Sequence, residues 1–176
     1  MFRSILIFGL AAGVIVAVPM FWLLTQFGEG SLLTGYTLML LALSLIFVGV
    51  KRHRDRVLGG AIRFLPALGM GLGISAVAGL VYVVGWELTL AATDFRFIED
   101  YSNAAIEAAR ARGASAAEVQ AVVEKMNEFR QSYANPLVRL PMTFVEIFPV
   151  GVLISLVSAA LLRNSRFLPA RVRNGQ

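Results

Sequence analysis

The chain has 176 residues, enough for one compact domain, of which 57% are apolar and only 15% charged, against about 25% charged in an average soluble domain. It contains no cysteine and one histidine, which excludes disulfides, thiolate metal sites, iron–sulfur clusters and cysteine nucleophiles. The net charge of +5 gathers beside apolar stretches without an aromatic–basic pattern, so it points to an anionic membrane leaflet and not to nucleic acid.

Span one, Ser4 to Phe27, carries no charge and exceeds the roughly 20 apolar residues that a helix needs to cross the hydrocarbon. Arg3 before an apolar run also opens a secretory signal, but this run is too long and Ala17-Val18-Pro19 is a poor cleavage site. A short loop, Gly28 to Ser31, carries Glu29. Span two, Leu32 to Val50, is again uncharged and leads into a basic loop, Lys51-Arg52-His53-Arg54-Asp55-Arg56. A lone histidine among arginines reads as a solvated surface residue and not as a metal ligand. Gly59-Gly60 predicts a turn, and span three, Leu65 to Ala92, contains one acid, Glu87.

The segment from Thr93 to Asn135 is different in kind, with seven acidic and five basic residues. Ile98, Tyr101, Ala105 and Ala108 recur at helical spacing, as do Val119, Val122, Met126, Phe129 and Tyr133. Between the two patterns, Gly113 can end a helix in the left-handed conformation, and Ser115 with Glu118 matches a capping box for the next. Asn135-Pro136 breaks the second arm. An antiparallel helical hairpin follows, each arm about 30 Å long if fully helical. Span four, Leu137 to Leu162, has Arg139 near its start, Glu146 within it, and Pro141 and Pro149. The tail from Arg163 is basic and has no acid.

The fold class is therefore an all-α membrane protein, with four transmembrane helices and the hairpin outside the membrane between spans three and four. Residues 1–92 hold the first three spans, 93–136 the hairpin, 137–162 the fourth span and 163–176 the tail. Arg3, the loop at 51–63 and the tail carry ten of the sixteen Lys and Arg residues, all on one side of four spans. That side is expected to be cytoplasmic, in a bacterial inner membrane, with both termini inside. Lys51, Arg52, Arg54 and Arg56 are expected at the headgroups of an anionic bilayer, each contributing roughly 1 kcal/mol.

Helices in lipid associate through close backbone approach, which small residues permit. Span one offers Gly9, Gly13 and Ala17; span three Gly71, Ser75 and Gly79, with Gly69 and Gly73 on a neighbouring line; span four Gly151, Ser155 and Ala159. Packing within one chain is the expectation, self-association the alternative. The intramembrane acids carry the polar expectations. Glu87 and Arg139 fall at similar depth and should pair at the base of the hairpin. Glu146 lies about 13 Å from the outer boundary, where a carboxylate without a cation is disfavoured. It should point into the bundle and bond Tyr82, Trp86 or a carbonyl freed by Pro149. On an ideal helix Glu146 lies opposite Ser155, so both face one neighbour only if a kink at Pro149 rotates part of the helix.

Several stretches resemble a known family: Leu40-Leu41-Ala42-Leu43-Ser44-Leu45-Ile46-Phe47-Val48-Gly49-Val50-Lys51, Arg54-Asp55 with Leu58-Gly59-Gly60, Gly85-Trp86-Glu87, Gly113-Ala114-Ser115 with Glu118, and Asn135-Pro136-Leu137. The most specific is Thr143-Phe144-Val145-Glu146-Ile147-Phe148-Pro149-Val150-Gly151. In order, these cover nearly the whole chain and are similar to the bacterial membrane family called domain of unknown function 4199. The resemblance implies four spans with a hairpin before the last and supplies no activity; the basic tail is longer than usual for that family.

No segment has the residues and spacing of a catalytic, cofactor or metal site. The expected function is that of a non-enzymatic accessory, assembly or sensor protein contacting a membrane protein partner or a second copy of itself. A proton- or ion-linked transporter subunit using Glu87 and Glu146 is the alternative, and a membrane enzyme the second alternative.

Overall fold

Hydrocarbon offers no partner to a backbone amide, so an uncharged stretch must satisfy its own amides as a helix. In the computed structural model, which describes residues 1–27 and 32–170, the apolar stretches do so. The helices are α1 (Phe2–Phe27), α2 (Leu32–Leu43), α3 (Leu45–Val57), α4 (Phe64–Ala92), α5 (Phe97–Ala111), α6 (Ala116–Ala134) and α7 (Pro136–Leu162). Four candidate spans result: α1, the joined pair α2–α3, α4 and α7, with mean hydropathy between 2.0 and 2.4. The loop carrying Glu29 and the tail arginines Arg171 and Arg173 lie outside the described residues.

Span two departs from expectation twice. It does not end at Val50; α3 continues to Val57, so the basic run is helical and not a loop. Its end lies at the glycine pair, where Gly59 (φ +69°) and Gly60 (φ +97°) enter the left-handed region and the Gly60 amide donates to the Arg54 carbonyl at 2.9 Å. The span is also interrupted at Ser44, whose hydroxyl donates to the Leu41 carbonyl at 2.6 Å. Such back-bonding competes with the helix ladder and bends helices.

α4 is the axis of the bundle, packing most extensively on α1 and α7. Its two faces are both small-residue seams. Toward α1, a Cβ on Gly9 or Gly13 would stand 2.5 Å from the Cβ of Val77 or Val81, and one on Gly85 2.5 Å from that of Ala17. Toward α7, Gly71 meets Ser155, Gly79 meets the Phe144 ring, and Gly151 lies directly against Ser75. The small residues thus pack within one chain. The third line is not shared throughout: Gly73 touches Ile5, but Gly69 has open space.

The hairpin forms as α5 and α6. Gly113 (φ +73°) ends the first arm, and Ser115 and Glu118 close a reciprocal capping box, which holds the Glu118 carboxyl below the usual glutamate range. The α6 stripe is as read, with Val119, Val122, Met126 and Phe129 half-buried and Tyr133 buried. The α5 stripe is turned from the one expected: Ser102 and Ala109 are buried, while Tyr101 and Ala108 are exposed. Ser102 can enter because its hydroxyl is satisfied by the Ile98 carbonyl at 2.6 Å. Asn135 is both the end cap of α6 and the start cap of α7, accepting from the Leu137 amide at 3.0 Å with Pro136 in the first turn.

Gly151→Ala should force the α4–α7 seam apart, costing about 1–3 kcal/mol as overpacking does and lowering the detergent melting temperature by roughly 3–8 °C. Adding Ser75→Gly removes the atoms in the way and should restore part of the loss. A Gly151→Ala protein that melts with the parent would contradict this seam.

Candidate functional site

Arg139 stands one turn into α7, its amide bonded to the Asn135 carbonyl at 3.0 Å, and it is 5% exposed. Its Nε and Nη2 each donate to a Glu87 carboxylate oxygen at 2.7 Å. This planar fork-to-fork contact is one that lysine cannot make. Nη1 donates to the Tyr133 carbonyl at 2.9 Å. The guanidinium also lies 5.4 Å from the centre of the Phe95 ring and 5.8 Å from that of Tyr133, within cation–π range. One side chain thereby joins α4, the end of α6, and the turn between α4 and α5. That turn is strained: Asp94 (φ +51°) and Phe95 (φ +57°) are both left-handed without being glycine, at about 1–2 kcal/mol each.

Trp86, one residue before Glu87, turns to the hairpin, so of the partners expected for Glu146 it is Tyr82 that the carboxylate meets. Its indole N–H donates to the Tyr133 hydroxyl at 2.6 Å, and its ring meets Phe97 edge-on at 4.9 Å. An indole N–H in an apolar span requires an acceptor, and the Tyr133 hydroxyl supplies it. From Phe97 the aromatic contacts pass to Tyr101, Phe129 and back to Tyr133. Burial pushes the Tyr133 phenol above its ordinary range.

Below this aromatic cluster lies a cavity of about 230 Å³. α4 contributes Tyr82 and Trp86, α7 contributes Met142, Thr143 and Glu146, and α5 and α6 close its outer end with Phe97, Tyr101 and Tyr133. α1 and α2 supply Met20, Leu24, Tyr36 and Met39. The space exists because the second span packs on α4 through α3 and not through α2. Glu146, expected to point into the bundle, instead lies on the exposed flank of α7, because Thr143 and Ile147 take the packed face. Its one described hydrogen bond comes from the Tyr82 hydroxyl at 3.5 Å, the outer limit for such a contact. Ser155 and Glu146 therefore both reach α4, Ser155 by backbone-close packing and Glu146 from the side, through the length of Tyr82.

At the opposite end the basic run divides. Arg52 and Arg56 are exposed, and Lys51 is half-buried against Asp55. Arg54 does not face headgroups: it is fully buried. Its Nη1 donates to the carbonyls of Leu162 (3.4 Å) and Phe167 (3.0 Å), Nη2 to that of Leu168 (2.5 Å), and Nε to Asp55 (2.7 Å). It reaches the last carbonyl of α7, where a helix has no partner of its own, and fastens the turn that follows through Phe167 and Leu168. His53, expected in solvent, is 6% exposed. Both follow from helix spacing, since Ile46, Gly49, Val50, His53 and Arg54 form one buried face. The polar contacts that the sequence did not reveal are those of Tyr133, Phe95 and Arg54; for Tyr133 the signal was the unsatisfied indole of Trp86.

In detergent, Glu87→Gln and Arg139→Met should show a double-mutant coupling of roughly 2 kcal/mol, below the about 3–5 of a fully buried pair because Glu87 is partly exposed. Zero coupling would mean that the two snorkel separately. Arg54→Lys should leave the α7 end uncapped, with amide exchange in residues 163–170 faster by roughly tenfold, as a loss near 1.4 kcal/mol would give. Unchanged exchange there would remove Arg54 from this role.

No curated protein and no solved structure matches the chain. Residues 6–164 match the family described as protein of unknown function (DUF4199). The four apolar spans, the hairpin before the last of them and this match over most of the chain agree: the protein is a multi-span membrane protein that belongs to the DUF4199 family.

Proposed function

We propose that the protein is a non-enzymatic accessory or sensor protein of a bacterial inner membrane, acting through its hairpin and helix faces on a membrane protein partner or a second copy. The observation that carries this reading is the clamp of Arg139 on Glu87 and the Tyr133 carbonyl. A hairpin that served only as a connection would need no buried guanidinium fastening it to two spans. Topology enters through the basic end, where Arg52, Arg56 and Arg63 are exposed beside the start of the tail. The positive-inside bias makes this end cytoplasmic and puts the hairpin on the opposite side. The buried hydroxyls fit packing better than turnover: Ser155 donates to the Gly151 carbonyl at 2.7 Å within the α4–α7 seam, and Ser75 and Ser158 are buried.

A second reading, a proton- or ion-linked transporter subunit, draws on Glu146 beside Tyr82 at the cavity. Four spans would then have to oligomerise to enclose a path.

The absence of cysteine makes single-cysteine reporters clean. Glu124→Cys should react with a membrane-impermeant maleimide from outside the cell, and Asn164→Cys only after the membrane is opened; the reverse pattern would invert the topology. Crosslinking through Lys125, exposed on α6, followed by mass spectrometry on native membranes, should join the hairpin to another polypeptide. Recovery of the chain alone at normal abundance would overturn the accessory reading, and ion flux in liposomes carrying the protein alone would favour the second.

A further inference from the structure

The cavity has a composition that packing alone does not require. Along α4, Trp86 is nearer the hairpin than Tyr82; along α7, Met142 and Thr143 are nearer it than Glu146. The cavity thus runs from a rim of hairpin aromatics to the buried Tyr82, with Glu146 on its open side. Its walls are aromatic rings and polarisable thioethers, and its one acidic group is Glu146. Among the described residues no cationic side chain pairs with that carboxylate; the five ion pairs lie elsewhere. Tyr82, at 3.5 Å, leaves most of its acceptor capacity free.

A carboxylate in an apolar recess is costly until a positive charge joins it. Aromatic faces carry negative quadrupoles that attract cations, most strongly organic ammonium groups that shed water easily. Methionine adapts to irregular apolar shapes. We propose that this recess binds an organic ammonium group, with Glu146 as the counter-charge and Tyr82, Trp86 and Tyr101 as its walls. The volume of about 230 Å³ falls below the roughly 300 Å³ at which drug-sized sites begin, so the occupant is a small ammonium head, either of a free amine or of a lipid. A bare metal ion does not fit, since no group of three His, Asp or Glu side chains gathers among the described residues. The inference names the ligand class for the sensor reading and rests on that reading for what binding achieves: Tyr133 and Trp86 line the recess and also fasten the hairpin.

The test uses the full chain in a maltoside detergent, which carries no ammonium group. The two tryptophans are Trp22 and Trp86, and Trp22→Phe leaves Trp86 as the sole reporter. Benzyltrimethylammonium should change its emission saturably and bind at least about tenfold more tightly than 2,2-dimethylpropylbenzene, its uncharged isostere. Glu146→Gln should abolish that preference, and Tyr101→Ala, an exposed ring on the hairpin, should weaken binding about threefold while leaving the bundle intact. Equal binding of cation and isostere, an unchanged Kd in Glu146→Gln, or no saturable signal would overturn the proposal. In nanodiscs, weaker probe binding when phosphatidylethanolamine replaces part of a pure phosphatidylglycerol bilayer would assign the site to a lipid head; unchanged binding would assign it to a free amine. Probe binding that leaves the hairpin crosslinks unaltered overturns the sensor reading and keeps the site, whereas crosslinks without probe binding do the opposite.

Discussion

Leucine gains nothing by leaving a lipid tail for another leucine, so these spans hold together where their backbones can touch. α4 supplies that contact on both sides, meeting α1 along Val77, Val81 and Gly85 and α7 along Gly71, Ser75 and Gly79. The rest of the architecture follows from which helices can join this seam. The lower half of span two joins it through Gly49, where Phe8 and Ile74 close in. Its upper half presents Gly35 with open space around it, and the Ser44 interruption lets the two halves take different paths. The cavity is the volume that α2 leaves by standing off from α4.

Where the seam ends, two buried arginines take over, one at each end of α7. Arg139 reaches from its start to Glu87 and the last turn of α6; Arg54 reaches from α3 to the carbonyls after its end. Each stands beside a left-handed residue that is not glycine. Phe95 (φ +57°) places its ring under Arg139, and Leu168 (φ +48°) offers its carbonyl to Arg54. The two strained positions persist because a guanidinium, with five donors in a rigid fork, over-determines the chain around it.

The sequence carried the spans, the hairpin and the Glu87–Arg139 contact because each rests on one-dimensional information: apolar run length, cap spacing and depth counted from a helix end. It did not carry the fate of the basic run. The uncharged run stops at Val50, yet a helix that already buries Ile46 and Val50 places Arg54 on the same line. The choice depends on carbonyls more than a hundred residues away, which no local pattern shows. The rotation of α5 was hidden for a related reason: Ser102 counts as polar until its hydroxyl is seen to be spent on its own helix. The cavity was not legible either, since its walls come from six separate helices and its existence depends on a contact that α2 fails to make.

One consequence of the Asn135 junction is mechanical. The residue that finishes α6 also begins α7, so no slack separates the arm from the span. α6 has 19 residues and is therefore a lever of about 28 Å. Force applied near Gly113 arrives at Asn135 as a torque, with nothing flexible to absorb it. α7 must answer by tilting or turning about its own axis, and the carboxylate eleven positions further on swings with it.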